Sequence, residues 1–186
     1  MSDVNQYILD AIKTHVWSGF YTPDDVYQMI EDILEEGADE EMLKAAVTPE
    51  FLKKEKAEAT WPETTDCDRL DDAFAALDAN GIISLQNAGM TMSDGESDVG
   101  QALDERGRAG IIGYCFYHGQ DLERAVAGDG LWLAFGDLDA IPAQKTAVGN
   151  QIKSIMEAHG FAVKWTGDPE RRICLLGIDW KRRGSS

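Results

Sequence analysis

The chain has 186 residues, 44% of them hydrophobic and 27% charged, which is long enough to bury a core and far from the composition of disordered chains. Thirty-four acids against seventeen bases leave a net charge of −17, a field that repels phosphate backbones and anionic lipid and so disfavours nucleic-acid binding. No apolar run approaches the roughly 20 residues that cross a bilayer, and no basic stretch followed by an apolar one opens the chain, so neither membrane insertion nor secretion is expected.

Residues 1–60 read as helical. Tyr7, Ile8, Ala11, Ile12, His15 and Val16 share one face at helical spacing, and Ser18-Gly19 stops the pattern. Thr22-Pro23-Asp24-Asp25 supplies a cap, a proline for the first turn and acids for the positive end of the dipole, ahead of a stripe through Leu34 that Gly37 is expected to end. Asp39 caps a short third helix, and Thr48-Pro49 is expected to restart a fourth. This stretch holds fourteen acids, five lysines and no arginine. Trp61-Pro62 marks a boundary, because the residue before proline is pushed out of helical geometry, so a helical subdomain over 1–60 and a second domain over 61–186 are expected.

From Thr65 the pattern mixes helix and strand. A helix carries Leu70, Phe74 and Leu77 to a stop at Asn80-Gly81, a strand runs from Ile82 to Gln86, and a polar loop leads to a short helix over 98–106. Ile111–Tyr117 and Leu131–Phe135 read as strands separated by a helix over 122–127, and residues 143–158 as a helix ending at His159-Gly160. Phe161–Trp165 and Arg172–Leu176 read as a closing hairpin around Gly167-Asp168-Pro169. The fold class is α+β: a helical N-terminal subdomain, then a ferredoxin-like layer of mostly antiparallel sheet with helices on one face.

Gly113–Asp121 is the segment richest in chemistry. A strand that delivers His118 to its end, followed by Gly119, Gln120 and Asp121 at a helix start, gathers polar groups where binding sites form. Together with Asn87, Thr91 and Asp94 from the preceding polar loop, these residues define a candidate pocket, in which His118 is the acid–base candidate. Asp66-Cys67-Asp68-Arg69 sets Asp66 and Arg69 beside a thiol at a helix N-terminus, but the flanking acids disfavour a thiolate and helix capping is the expected role. Ser93–Asp98 alternates oxygens as a calcium loop does yet lacks the distal glutamate, so no metal is expected. Cys67, Cys115 and Cys174 are odd in number and lack paired spacing, which points to a reducing compartment, the cytoplasm. Phosphate loops, HExxH and GxSxG are absent from the sequence, so neither a cofactor nor an enzymatic role is indicated.

The stretches TDCDRLDDAF at 65–74, QNAGMTMSDG at 86–95, GYCFYHGQDLERAV at 113–126 and DWKRR at 179–183 resemble a bacterial family defined as a domain of unknown function, whose helical N-terminal portion precedes these motifs. The resemblance covers most of residues 61–183 and assigns no activity, substrate or catalytic residue. A second, topological similarity covers Leu131–Asp139, the helix after it and Gly160–Gly167, which is similar to the second half of the acidic inhibitor known as regulator of ribonuclease E activity B, although the long acidic tail of those inhibitors is missing here. That similarity implies protein binding. Taken with the charge, it makes a cytoplasmic, acidic modulator that binds a basic-surfaced protein the leading expectation. The alternative is a small enzyme or ligand-binding domain at His118 and Asp121, and a homo-oligomer is compatible with either.

Overall fold

The computed structural model describes residues 3–184, which form two compact units: one made of the residues up to Thr65 together with those from Trp180, the other of Asp66–Asp179. In the first, helix α1 (Asp3–Ser18) stops where Gly19 takes φ +80°, a conformation open to glycine without strain. Helix α2 (Pro23–Ile33) starts on a reciprocal cap: the Asp25 carboxylate accepts from the Thr22 N–H at 2.7 Å while the Asp25 N–H donates back to Thr22 Oγ1 at 3.3 Å. It ends at Ile33, short of Gly37, with Leu34 extended. No base occupies its last turn and Glu35-Glu36 follow at once, acids set against the negative end of the dipole.

Helix α3 (Glu40–Glu58) corrects the expectation of two helices broken at Thr48-Pro49, because Pro49 lies inside one continuous helix. The bond a proline cannot make would have gone to the carbonyl of Ala45, and Ala45 is exposed, so water can take its place. Leu43 and Val47 before the proline and Phe51 after it all pack into the same cluster with Ile8, Ile12, Val16, Val26 and Ile30, so burial on both sides of Pro49 holds the axis together. The segment from Trp180 completes this unit. Its indole N–H donates to the Ser18 carbonyl at 3.0 Å, and the Arg182 guanidinium lies 4.5 Å over the Phe20 ring.

The second unit runs α4 (Asp66–Ala79), β1 (Ile82–Leu85), α5 (Met92–Arg106), β2 (Gly113–Phe116), α6 (Gly119–Ala127), β3 (Leu131–Asp137), α7 (Pro142–Ala158), β4 (Ala162–Lys164) and β5 (Ile173–Leu176). The fold is α+β, with one sheet ordered β1-β2-β3-β5-β4; only β1–β2 is parallel, and the other three pairings are antiparallel. Side chains alternate across a strand, and both faces are covered, where helices on one face were expected. Phe116 and Ala134 pack with Val99 of α5, whereas Gly113 approaches Val148 and Phe135 approaches Gly149, both on α7. The parallel β1–β2 pair requires a crossover helix, α5, and that helix takes the second face.

Candidate functional site

Because β1 and β2 are parallel, their carboxyl ends lie side by side, and each strand leads into a helix. Backbone bonds carry the pairing past the strands: Tyr117 N–H to Leu85 O at 3.3 Å, Ala88 N–H to Tyr117 O at 2.9 Å and Gly119 N–H to Gly89 O at 2.9 Å. The starts of α5 and α6 are thereby drawn together. A Cβ on Gly119 would stand 2.5 Å from Met90 Sδ and 3.4 Å from the Gly89 carbonyl oxygen, so a larger residue there would have to push the exposed Met90 side chain aside. Asn87 turns the β1 exit with φ 51°, a left-handed conformation that asparagine tolerates better than most residues.

At the start of α6, His118 is the cap residue and Asp121 occupies the third helical position. The Asp121 side chain has no exposed surface, and its carboxylate is surrounded: His118 Nε2 stands at 3.2 Å, Arg124 Nη1 at 3.4 Å, and Arg172 Nη2 makes a short contact from the start of β5. Arg172 also donates to the Trp132 carbonyl at 2.8 Å, tying α6, β3 and β5 through one guanidinium. A buried carboxylate needs such compensation to stay ionised. Burial pushes the His118 pKa below its ordinary value, with Asp121 pulling the other way and Arg172 and Arg124 adding to the fall. His118 is therefore neutral at pH 7, donating from Nε2 to Asp121, and its Nδ1 is buried without a hydrogen-bond partner.

At the start of α5, the Thr91–Asp94 cap repeats the Thr22–Asp25 arrangement. Asp94 Oδ2 accepts from the N–H groups of Met90 and Thr91 and from Thr91 Oγ1 at 2.9–3.1 Å. These bonds, the Thr91 hydroxyl foremost, lower the Asp94 pKa. This box starts α5 at Met92, six residues before the expected 98, so Thr91 is the cap of a helix and Asp94 lies in its first turn rather than in a loop. His118 feels the Asp94 charge, and Gln120 is exposed on the first turn of α6.

Asp66 and Arg69 lie apart from this group. Asp66 holds Arg69 at 2.5 Å and accepts the Asp179 N–H at 2.9 Å, and Arg69 donates to the His159 carbonyl and covers the Phe161 ring, so the pair fastens α4 to the end of α7. Cys67, Cys115 and Cys174 are buried thiols outside any disulfide, and burial raises the pKa of Cys115 and Cys174. Among the described residues, no group of three or more His, Cys, Asp or Glu side chains is placed to hold a metal. Among the described residues, no helix is long and apolar enough to cross a membrane.

Sequence reasoning missed Arg172 and Arg124, as well as the Tyr117–Gln86–Asp71 chain, in which Tyr117 donates to Gln86 at 2.9 Å and Gln86 to Asp71 at 2.7 Å. Arg172 offers one clue in retrospect. It is a guanidinium at the mouth of an apolar strand, and such a group demands a buried acid.

Residues 1–184 match the family described as Domain of unknown function (DUF6891), and the chain belongs to that family. No curated protein and no solved structure matches the chain.

Proposed function

We propose that this member of a family defined without an activity binds and modulates another protein in the cytoplasm, as a regulatory or immunity-type inhibitor, with a basic surface on its partner. The observation that carries this reading is a ridge across the α2–α3 connection. Glu31, Asp32, Glu35, Glu36, Asp39, Glu40 and Glu41 are all exposed within eleven positions, around an exposed Leu34. Lys44 offsets Glu31 and Glu40, and the others leave a strong negative field that steers a basic partner and raises its association rate. By contrast, the polar groups of the candidate pocket are largely spent on two helix caps and the Asp121 cluster. The three buried thiols agree with a reducing compartment.

Immobilised full-length chain and a Glu35→Lys/Glu36→Lys/Glu41→Lys variant, both exposed to lysate of the source cell, test this reading. A basic protein retained by the wild type and lost by the variant is the expected result; a capture free of basic proteins sinks the reading.

A second reading, a ligand-binding or small catalytic domain, is favoured by the paired helix starts beyond parallel strands and by the buried, unpartnered Nδ1 of His118. Arg172 also lines a cleft of about 200 Å³ with Tyr114, Glu96, Lys145 and Arg171. A thermal-shift screen against metals, nucleotides and metabolites separates the two readings, since a ligand held by this site raises the melting temperature of the wild type and not of His118→Ala.

A further inference from the structure

The helical unit carries a second feature that the acidic ridge does not use. The turn after α1, the start of α2 and the second half of α3 enclose a groove of about 470 Å³, with Phe20, Tyr21, Phe51 and Leu52 among its apolar lining, Glu55 beside them, and Lys54 ion-paired with Glu58 at the same edge. Leu52 is 50% exposed and Glu55 is exposed. An apolar floor with carboxylates at its edge accepts an apolar side chain flanked by cations.

Charge complementarity points to the occupant. The residues up to 65 and from 180 onward hold fifteen acids against eight bases, so the unit as a whole attracts basic segments, and at the groove, where Lys54 pairs with Glu58, Glu55 is the exposed carboxylate that meets them. The chain's own Trp180–Gly184 shows which chemistry this unit receives. Its Arg182 lies over Phe20, the Arg183 guanidinium donates to the Pro62 carbonyl at 2.6 Å, and the Gly184 N–H donates to Glu58 Oε1 at 3.1 Å, at the groove itself. The tryptophan and the two arginines of this stretch are thus held through carbonyl oxygens and a cation–π contact, and Glu58 takes the Gly184 amide that follows them.

We infer that this groove docks a basic linear segment of a partner protein, which inserts an apolar side chain between Phe51, Leu52 and Tyr21 and sets lysine or arginine against Glu55. This names the contact surface for the protein-binding reading above and rests on it. Leu52 supplies contact area and Glu55 selects for charge, so a segment of equal hydrophobicity carrying acids is refused.

The test is fluorescence anisotropy of the full chain with a labelled peptide of leucine and lysine at helical spacing, at physiological salt, against the same peptide with glutamate for lysine. Binding of the lysine peptide alone, weakened at least about tenfold by Leu52→Lys and by Glu55→Lys, is the expected result. Both positions are exposed, and circular dichroism verifies that the variants fold. The Glu35→Lys/Glu36→Lys/Glu41→Lys variant should shift this affinity by less than about threefold, as expected for charges that steer rather than dock. Equal affinity of wild type and Leu52→Lys overturns the groove while leaving the acidic surface as the binding face. No binding of the lysine peptide by wild type also overturns the groove, and the capture experiment then decides the broader reading separately.

Discussion

The carboxylate of Asp121 and the guanidinium of Arg172, fifty-one positions apart, meet where α6 begins and β5 begins, with Asp121 wholly out of solvent and Arg172 one quarter exposed. Arg172→Met leaves Asp121 buried with only Arg124 and a neutral histidine beside it. Breaking a buried pair costs about 3–5 kcal/mol, and the partial exposure of Arg172 places this one near 3. Asp121→Asn should cost less, because the amide carries no charge to strand. The double variant Asp121→Asn/Arg172→Met should recover part of the loss. Urea unfolding of all three checks this, and strict additivity of the two single losses refutes the coupling.

His118 makes stability depend on pH. Its folded pKa lies below the ordinary histidine value of 6.5, so the unfolded chain binds a proton more readily than the folded one. The contribution is complete above about pH 6.5 and is lost as pH falls from there toward the folded pKa. Denaturant midpoints at pH 7.5 and 5.5 should fall further for wild type than for His118→Gln. Identical slopes would mean that His118 titrates as it does in the unfolded chain.

Two glycines of α5 should respond with opposite signs. A Cβ on Gly95 would stand 2.2 Å from the Phe116 ring, whereas one on Gly100 meets nothing within 4 Å. Gly95→Ala therefore forces the packing apart at about 1–3 kcal/mol, and Gly100→Ala gains helix propensity of up to about 1 kcal/mol. Thermal melts of the two variants should move in opposite directions.

Pro49 costs α3 a backbone hydrogen bond at an exposed position. Pro49→Ala should stabilise the chain by about 1–3 kcal/mol. A melting temperature that stays level or falls would show that the proline is compensated by a contact not evident from its exposure.

What was legible in the sequence was local. Thr22-Pro23-Asp24-Asp25 places a helix start within four residues, and alternation through Phe161, Val163 and Trp165 reveals the hairpin, since each pattern is written in neighbours. Pro49 misled for the same reason: the local rule breaks a helix there, and only the burial of Leu43, Val47 and Phe51 against other helices overrides it. Thr91 and Asp94 are visible as polar residues but not as a cap, because Gly89, Ser93, Gly95, Glu96, Ser97 and Asp98 nearby imitate a loop. At the site, His118 and Asp121 stand three positions apart and were found together, whereas Arg172 arrives through the pairing of β3 with β5, which no local pattern encodes.

The bond between Trp180 and Ser18 joins residues 162 positions apart within one unit. During synthesis, α1 to α3 leave the ribosome long before the indole that covers the α1 carboxyl end. The helical unit must wait, incompletely closed, through the translation of the whole sheet, at about 5–20 residues per second.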